Sequence, residues 1–167
     1  EHSHEGAAFT TWLDFQQAIA QADAVCDALK RLKPESVEHF ALNFDDLKKD
    51  LLALDSRMLA VGRKLANQPV VASHPVYQYW ARRYAINLRA VLWEPEEAPT
   101  DSQMEDLRKI LATHPAKWMV WEGEPAAESV AKIKMLGLDS VVFDPCGNAP
   151  DKGDFLSVMK ENVAAIE

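Results

Sequence analysis

From Gln68 onward, short apolar segments alternate strictly with longer segments of helical periodicity. The apolar segments are nearly continuous, which is typical of strands buried on both faces of a parallel sheet. Right-handed βαβ units connect such strands. We therefore predict an α/β fold, a four-stranded parallel sheet with helices on both faces. The strands are expected at 69–73, 87–93, 117–121 and 140–143, and the helices at 75–84, 101–113, 126–136 and 152–166.

Two helical segments precede this region. The first runs from about Leu13 to Leu32, with Asp14 as its cap, and Pro34 ends it. The second has apolar residues at 3-4 spacing over about eight turns, roughly 45 Å of helix. These residues are Val37, Phe40, Phe44, Leu47, Leu51, Leu54, Met58, Val61 and Leu65. The stripe predicts a long helix that packs on a core. The alternative is that the stripe forms the contact of a coiled coil or dimer.

The composition fits a globular protein of one main domain. The chain has 167 residues, with 18 Lys and Arg against 26 Asp and Glu, a net charge of −8. This balance argues against nucleic acid as a partner, because nucleic acid requires a basic face. No apolar run reaches the roughly 18–20 residues of a membrane span. Cys26 and Cys146 match no clustered metal pattern. We expect a flexible segment (1–11), a helical pair (12–66) and an α/β lobe (67–167).

Polar side chains follow each predicted strand, at the edge where ligands bind to open parallel sheets. They are Ser73 and His74, then Glu94, then Glu122 and Glu124, and finally Asp144. An imidazole with carboxylates suits Zn²⁺ or Mn²⁺. Each residue also has a structural interpretation, as a helix cap or as part of a turn before proline. Spacing alone leaves both interpretations open.

Several segments occur in an order that resembles a known family. They are Trp12-Leu13-Asp14, Val71–His74, Tyr79–Tyr84, Trp121-Glu122 and Val142–Gly147. In this order they resemble the second half of the zinc/manganese solute-binding proteins of ABC transporters. The resemblance covers essentially the whole chain. It implies a C-terminal lobe with a long bridging helix, and a metal held between this lobe and an N-terminal lobe absent from the chain.

The resemblance also implies a set of metal ligands. The candidates are His74, Asp144 and Glu122, with Thr10, His2 and His4 as weaker ones. Thr10 stands where the family has a histidine, and threonine is a poor zinc ligand. His2 and His4 precede the Trp-Leu-Asp element, where zinc-specific members carry a histidine-rich loop. Their alternative is an ordinary disordered terminus.

The function implied by the resemblance is capture of zinc or manganese and release to an ABC permease, with no enzymatic activity. The location would be periplasmic or extracytoplasmic, although the first residues do not resemble a signal peptide. A separate N-terminal lobe is a further expected partner. Two other classes stay open: a metal-free protein-interaction module on the same scaffold, and a small hydrolase with a metal on the His74, Glu122 and Asp144 edge and Glu122 as base.

Three expectations follow for the molecule. His74 and Asp144 should lie on one edge of the sheet, close enough to share an ion. Zinc binding by this chain should be weak and should weaken further at low pH, because a ligating imidazole must be neutral. The chain should form a homo-oligomer through its first two helices, since a single lobe leaves part of the long apolar stripe uncovered.

Overall fold

The computed structural model describes residues 9–167, so His2 and His4 lie outside the described residues. The helices are α1 (Phe15–Leu32), α2 (Val37–Leu65), α3 (Gln78–Tyr84), α4 (Asp101–Thr113), α5 (Ala127–Lys134) and α6 (Phe155–Ile166). The strands are β1 (Val70–Ala72), β2 (Leu88–Ala90), β3 (Trp118–Trp121) and β4 (Asp139–Val142). In this part of the chain, no helix is both long enough and apolar enough to cross a membrane.

The four strands form one sheet in the order β2-β1-β3-β4, and every neighbouring pair is parallel. The predicted α/β fold is therefore confirmed. Alternate residues of a strand point to opposite faces, so the sheet has two cores. On one face Ala72, Val120 and Phe143 pack with α2, α3 and α6. On the other, Met119 and Trp121 pack with the helices that follow β2 and β3.

The apolar stripe of α2 is divided between two environments. Its C-terminal half is buried in the first core through Leu51, Leu54, Met58 and Val61. Its N-terminal half packs beside α1 and is only partly covered, with Val37 exposed. The first interpretation of the stripe, a helix laid on a core, is thus correct for the C-terminal half.

Local hydrogen bonds explain where the helices begin. Residues Thr11–Leu13 form a 3-10 turn, so α1 starts at Phe15 rather than at Leu13. Asp14 is the N-cap, as the sequence predicts, and accepts from the backbone N–H groups of Gln16 and Gln17. At α6, Asp154 and Ser157 form a capping box, and the helix therefore begins three residues later than predicted.

A buried carboxylate joins α2 to α1 and α3. Asp55 accepts hydrogen bonds from Arg83 Nη2 at 2.7 Å, from the Tyr84 hydroxyl at 2.9 Å and from Gln16 Nε2 at 3.0 Å. Burial by itself raises the pKa of Asp55, but the hydrogen bonds and the charge of Arg83 outweigh burial, and the pKa falls below its usual value. The helical pair is fixed to the lobe by this network.

Candidate metal centre

Ser73 holds the ends of three strands together at the carboxyl edge of the sheet. Its backbone N–H donates to the Val120 carbonyl at 2.8 Å, and its carbonyl accepts from Trp93 N at 2.8 Å. Its hydroxyl accepts from Glu122 N at 3.4 Å. The residues that follow β1, β2 and β3 are therefore brought side by side.

His74 and Glu122 are in contact at this edge. The His74 side chain is buried, and its Nδ1 lies 3.2 Å from Glu122 Oε1. Burial raises the pKa of Glu122 above its usual value. The neighbouring imidazole of His74 acts in the opposite direction, while the charges of Glu94, Glu96 and Asp144 add to the rise. Glu122 is thus a carboxylate in a negative and partly desolvated environment.

Glu94 joins His74 and Glu122 in one cluster. One ligand atom from each of the three residues lies within 4.8 Å of the others. Glu94 is exposed, whereas Glu122 is half-buried. The set of metal ligands inferred from the sequence omits Glu94, although its position directly after a predicted strand was a usable signal.

Asp144 follows β4 and is held firmly by its neighbours. The Asn162 side chain accepts from Asp144 N at 3.0 Å and donates to the Asp144 carbonyl at 2.7 Å. The carboxylate oxygen Oδ1 accepts from Cys146 N at 2.7 Å. Asn162 comes from α6, and its role could not be anticipated from any sequence motif.

Thr10 shares a cleft with two of the candidate carboxylates. Its hydroxyl is buried and donates to the Val76 carbonyl. Thr10, Glu122 and Asp144 line one cleft of about 410 Å³. The structure therefore brings Thr10, Glu122 and Asp144 around one opening and His74 against Glu122, so Glu122 is common to both groups.

Two hydrogen bonds fix the segments that border this cleft. The Tyr77 hydroxyl donates to the Phe143 carbonyl at 2.7 Å. The Trp12 indole N–H donates to the Pro145 carbonyl at 2.7 Å and joins the start of the helical pair to the Asp144 loop. The segment that follows β4 is thus held in place by side chains from other elements.

A family profile described as "ZnuA: Zinc-uptake complex component A periplasmic" matches residues 1–167. The chain belongs to this family. The resemblance that the sequence motifs indicated is therefore confirmed. The description of this family names a component of a zinc-uptake complex, which is a role in metal transport.

Solved structures share the fold of this ZnuA-family chain. The metal-dependent lipoprotein YcdH from Bacillus subtilis has a TM-score of 0.84 at 19% identity, over 97% of this chain and 64% of that protein. Zn(II)-bound AdcA from Streptococcus pneumoniae has a TM-score of 0.80 at 21% identity, over 95% of this chain and 36% of that protein. A mutant of the laminin-binding adhesin Lmb from Streptococcus agalactiae has a TM-score of 0.77 at 18% identity, over 98% of this chain and 63% of that protein. The chain thus spans between 36% and 64% of these proteins.

Proposed function

We propose that this chain is the metal-holding lobe of an extracytoplasmic solute-binding protein, which captures zinc or manganese for an ABC permease. The contact between His74 and Glu122, at an edge that also carries Asp144, is the observation that supports this proposal most directly. Membership of the ZnuA family favours it over the metal-free interaction module and over a hydrolase. The Zn(II)-bound state of AdcA, which has the same fold, favours zinc as the substrate.

The geometry suits capture and release. A buried imidazole and neighbouring carboxylates are ligands that Zn²⁺ and Mn²⁺ accept. Burial fixes the His74 ring, and the hydrogen bonds from Asn162 and Cys146 fix Asp144, so little ordering is needed when the cation arrives. An N-terminal lobe or a permease would meet the bound cation at the cleft that Glu122 and Asp144 line.

Calorimetric titration of the chelator-stripped chain with Zn²⁺ tests the proposal. We expect one cation per chain and a loss of at least tenfold in affinity for His74→Ala. His39→Ala is the matched control, because His39 is an exposed histidine on α2. Equal affinity for the parent chain and His74→Ala, or no binding by the parent chain, would contradict the proposed site.

We also propose that the first two helices carry a protein contact, in a homo-oligomer of this chain. An apolar groove of about 390 Å³ runs between α1 and α2, lined by residues that include Val25, Leu29, Phe40 and Phe44. Exposed apolar side chains border it, among them Leu32 and Val37. Such a surface is unusual on an isolated monomer.

A further inference from the structure

β4 lies at the edge of the sheet, so the residues that follow it need partners from outside the sheet. In the order β2-β1-β3-β4, β4 has a strand neighbour on one side only within the described residues. Phe143 still bonds to that neighbour, because its N–H donates to the Trp121 carbonyl of β3 at 2.8 Å. An edge strand presents unpaired N–H and C=O groups on its open side. The backbone of Asp144, the next residue, is therefore left to bond with another element.

Asn162 of α6 binds both backbone groups of Asp144. Its side-chain oxygen accepts from Asp144 N at 3.0 Å, and its Nδ2 donates to the Asp144 carbonyl at 2.7 Å. A side-chain amide carries an acceptor and donors together, as the backbone of a neighbouring strand does. Asn162 is only 5% exposed, and hydrogen bonds shielded from water in this way are stronger than exposed ones. Asn162 thus takes the place of the strand that β4 lacks on its open side.

The carboxylate of Asp144 keeps one oxygen available for a cation. Its Oδ1 accepts from Cys146 N at 2.7 Å, and in the described part of the chain no donor bonds to Oδ2. Asp144 lines the same cleft as Glu122. With the backbone held by Asn162 and Oδ1 held by Cys146, Oδ2 is the atom that Asp144 can offer to a cation.

We propose that Asn162 is a positioning residue of the metal site, which fixes Asp144 before the cation arrives and in this way sets the affinity for the cation. The inference rests on the proposed function, in which Asp144 is a ligand. Tyr77 and Trp12 hold the carbonyls on either side of Asp144, whereas Asn162 bonds to the N–H and the C=O of Asp144 itself. Loss of a group that holds a metal ligand in place typically lowers the affinity about 10–100-fold.

Calorimetric titration of the chelator-stripped chain with Zn²⁺ tests the proposal. Asn162→Leu keeps a side chain of similar volume and removes both hydrogen bonds to Asp144, so we expect the affinity to fall about tenfold or more. Val163→Ala is the matched control, because Val163 is the next residue of α6 and is fully buried. The cavity that this control creates lowers the stability of the fold, and we expect the affinity to stay within about twofold of the parent chain.

A double-mutant cycle separates an effect through Asp144 from a general effect on the fold. We expect Asp144→Ala to weaken Zn²⁺ binding, and Asn162→Leu to weaken it by no more than about twofold further when Asp144 is already alanine. Asn162→Ser repeats the cycle with a smaller polar side chain, so that the test does not depend on the folding of one variant. Hydrogen exchange gives a readout without metal, since the Asp144 amide should exchange faster in Asn162→Ser than in the parent chain.

The outcomes distinguish the inference from the proposed function. If Asn162→Leu and Asn162→Ser bind Zn²⁺ like the parent chain while Asp144→Ala binds it more weakly, Asn162 does not set the affinity, although the proposed function stands. If Asn162→Leu weakens binding equally with and without the Asp144 side chain, Asn162 acts through the fold, and the inference is wrong. If the parent chain binds no Zn²⁺, the inference and the proposed function both fail. Circular dichroism of each variant checks that the fold is intact.

Discussion

At the scale of single residues, the helix packing depends on a close approach at Gly62. A Cβ atom built on Gly62 would lie 2.1 Å from the Tyr84 carbonyl oxygen, which belongs to the backbone and cannot turn away. Gly62 therefore allows α2 to cross the end of α3 at short range. Ala85, the next residue of the chain after Tyr84, has a positive φ of 54°, a conformation that glycine adopts more easily.

Gly62→Ala is expected to destabilise the fold by about 1–3 kcal/mol, because the added methyl group forces α2 away from the Tyr84 carbonyl. Urea unfolding followed by circular dichroism measures the change. Gly147→Ala is the matched control, since a Cβ there meets nothing within 4 Å. Equal stability of the two variants would contradict the close approach.

Ala85→Gly is expected to stabilise the fold by up to about 1 kcal/mol, since glycine relieves the strain of the positive φ. The same urea experiment gives the free energy of unfolding. Ala53→Gly, in the exposed interior of α2, should instead cost about 0.5–1 kcal/mol. A loss of stability at both positions would show that Ala85 carries no strain.

At the scale of elements, Asp55 links three helices, and its charge contributes to stability. The side chain is only 6% exposed and accepts hydrogen bonds from Arg83, Tyr84 and Gln16. Removal of one partner from such a network leaves buried groups unpaired. The sequence does not predict this network, because Asp55 falls among the charged residues that periodicity assigns to the solvent face of α2.

Asp55→Asn is expected to lower the free energy of unfolding by about 1.5–3 kcal/mol at neutral pH. The pKa of Asp55 is lowered in the folded state, so its stabilisation is fully present above the unfolded value of about 3.9 and is lost as the pH falls through the native value. Urea unfolding of the parent chain and the variant should therefore converge toward low pH. Asp50→Asn, which removes an exposed ion pair on the same helix, is the control. A difference that stays constant down to pH 2 would contradict the account.

Other elements show how far the sequence predicts the fold. Alternating apolar and periodic segments predict all four strands, because the pattern reflects burial on both faces of a sheet. Strand order is a tertiary property, and so the sequence did not show that His74 lies between the strand ends that carry Glu94 and Glu122. The sequence predicts an imidazole beside carboxylates at this edge, and the structure places His74 Nδ1 3.2 Å from Glu122 Oε1. The role of these residues as metal ligands stays a prediction.

At the scale of the whole molecule, the α1–α2 pair has a surface that the described chain does not cover. Leu51 and Leu54 are in the chain's own core, so the surface open to a partner is the distal part of the pair. Val25 and Leu32 are 59% and 77% exposed there. The chain spans only part of the proteins that share its fold.

We expect the chain to form a dimer through this surface. The double variant Val25→Asp with Leu32→Asp should dissociate the dimer, because burial of two unpaired carboxylates per chain costs free energy. Light scattering over a range of concentrations measures the mass. Met135→Asp is the control, since Met135 is 79% exposed at the end of α5. A mass near 18.7 kDa for the parent chain at every concentration would contradict the dimer.

Thermal unfolding with and without Zn²⁺ tests the central claim, that the carboxyl edge of the sheet binds a divalent cation through His74. Binding to the folded state alone raises its stability, by about 2.7 kcal/mol at a free Zn²⁺ concentration 100 times the Kd. We predict that Zn²⁺ raises the Tm of the parent chain, that chelator reverses the rise, and that His74→Ala shows none. An unchanged Tm for the parent chain, or an equal rise in His74→Ala, would contradict the claim.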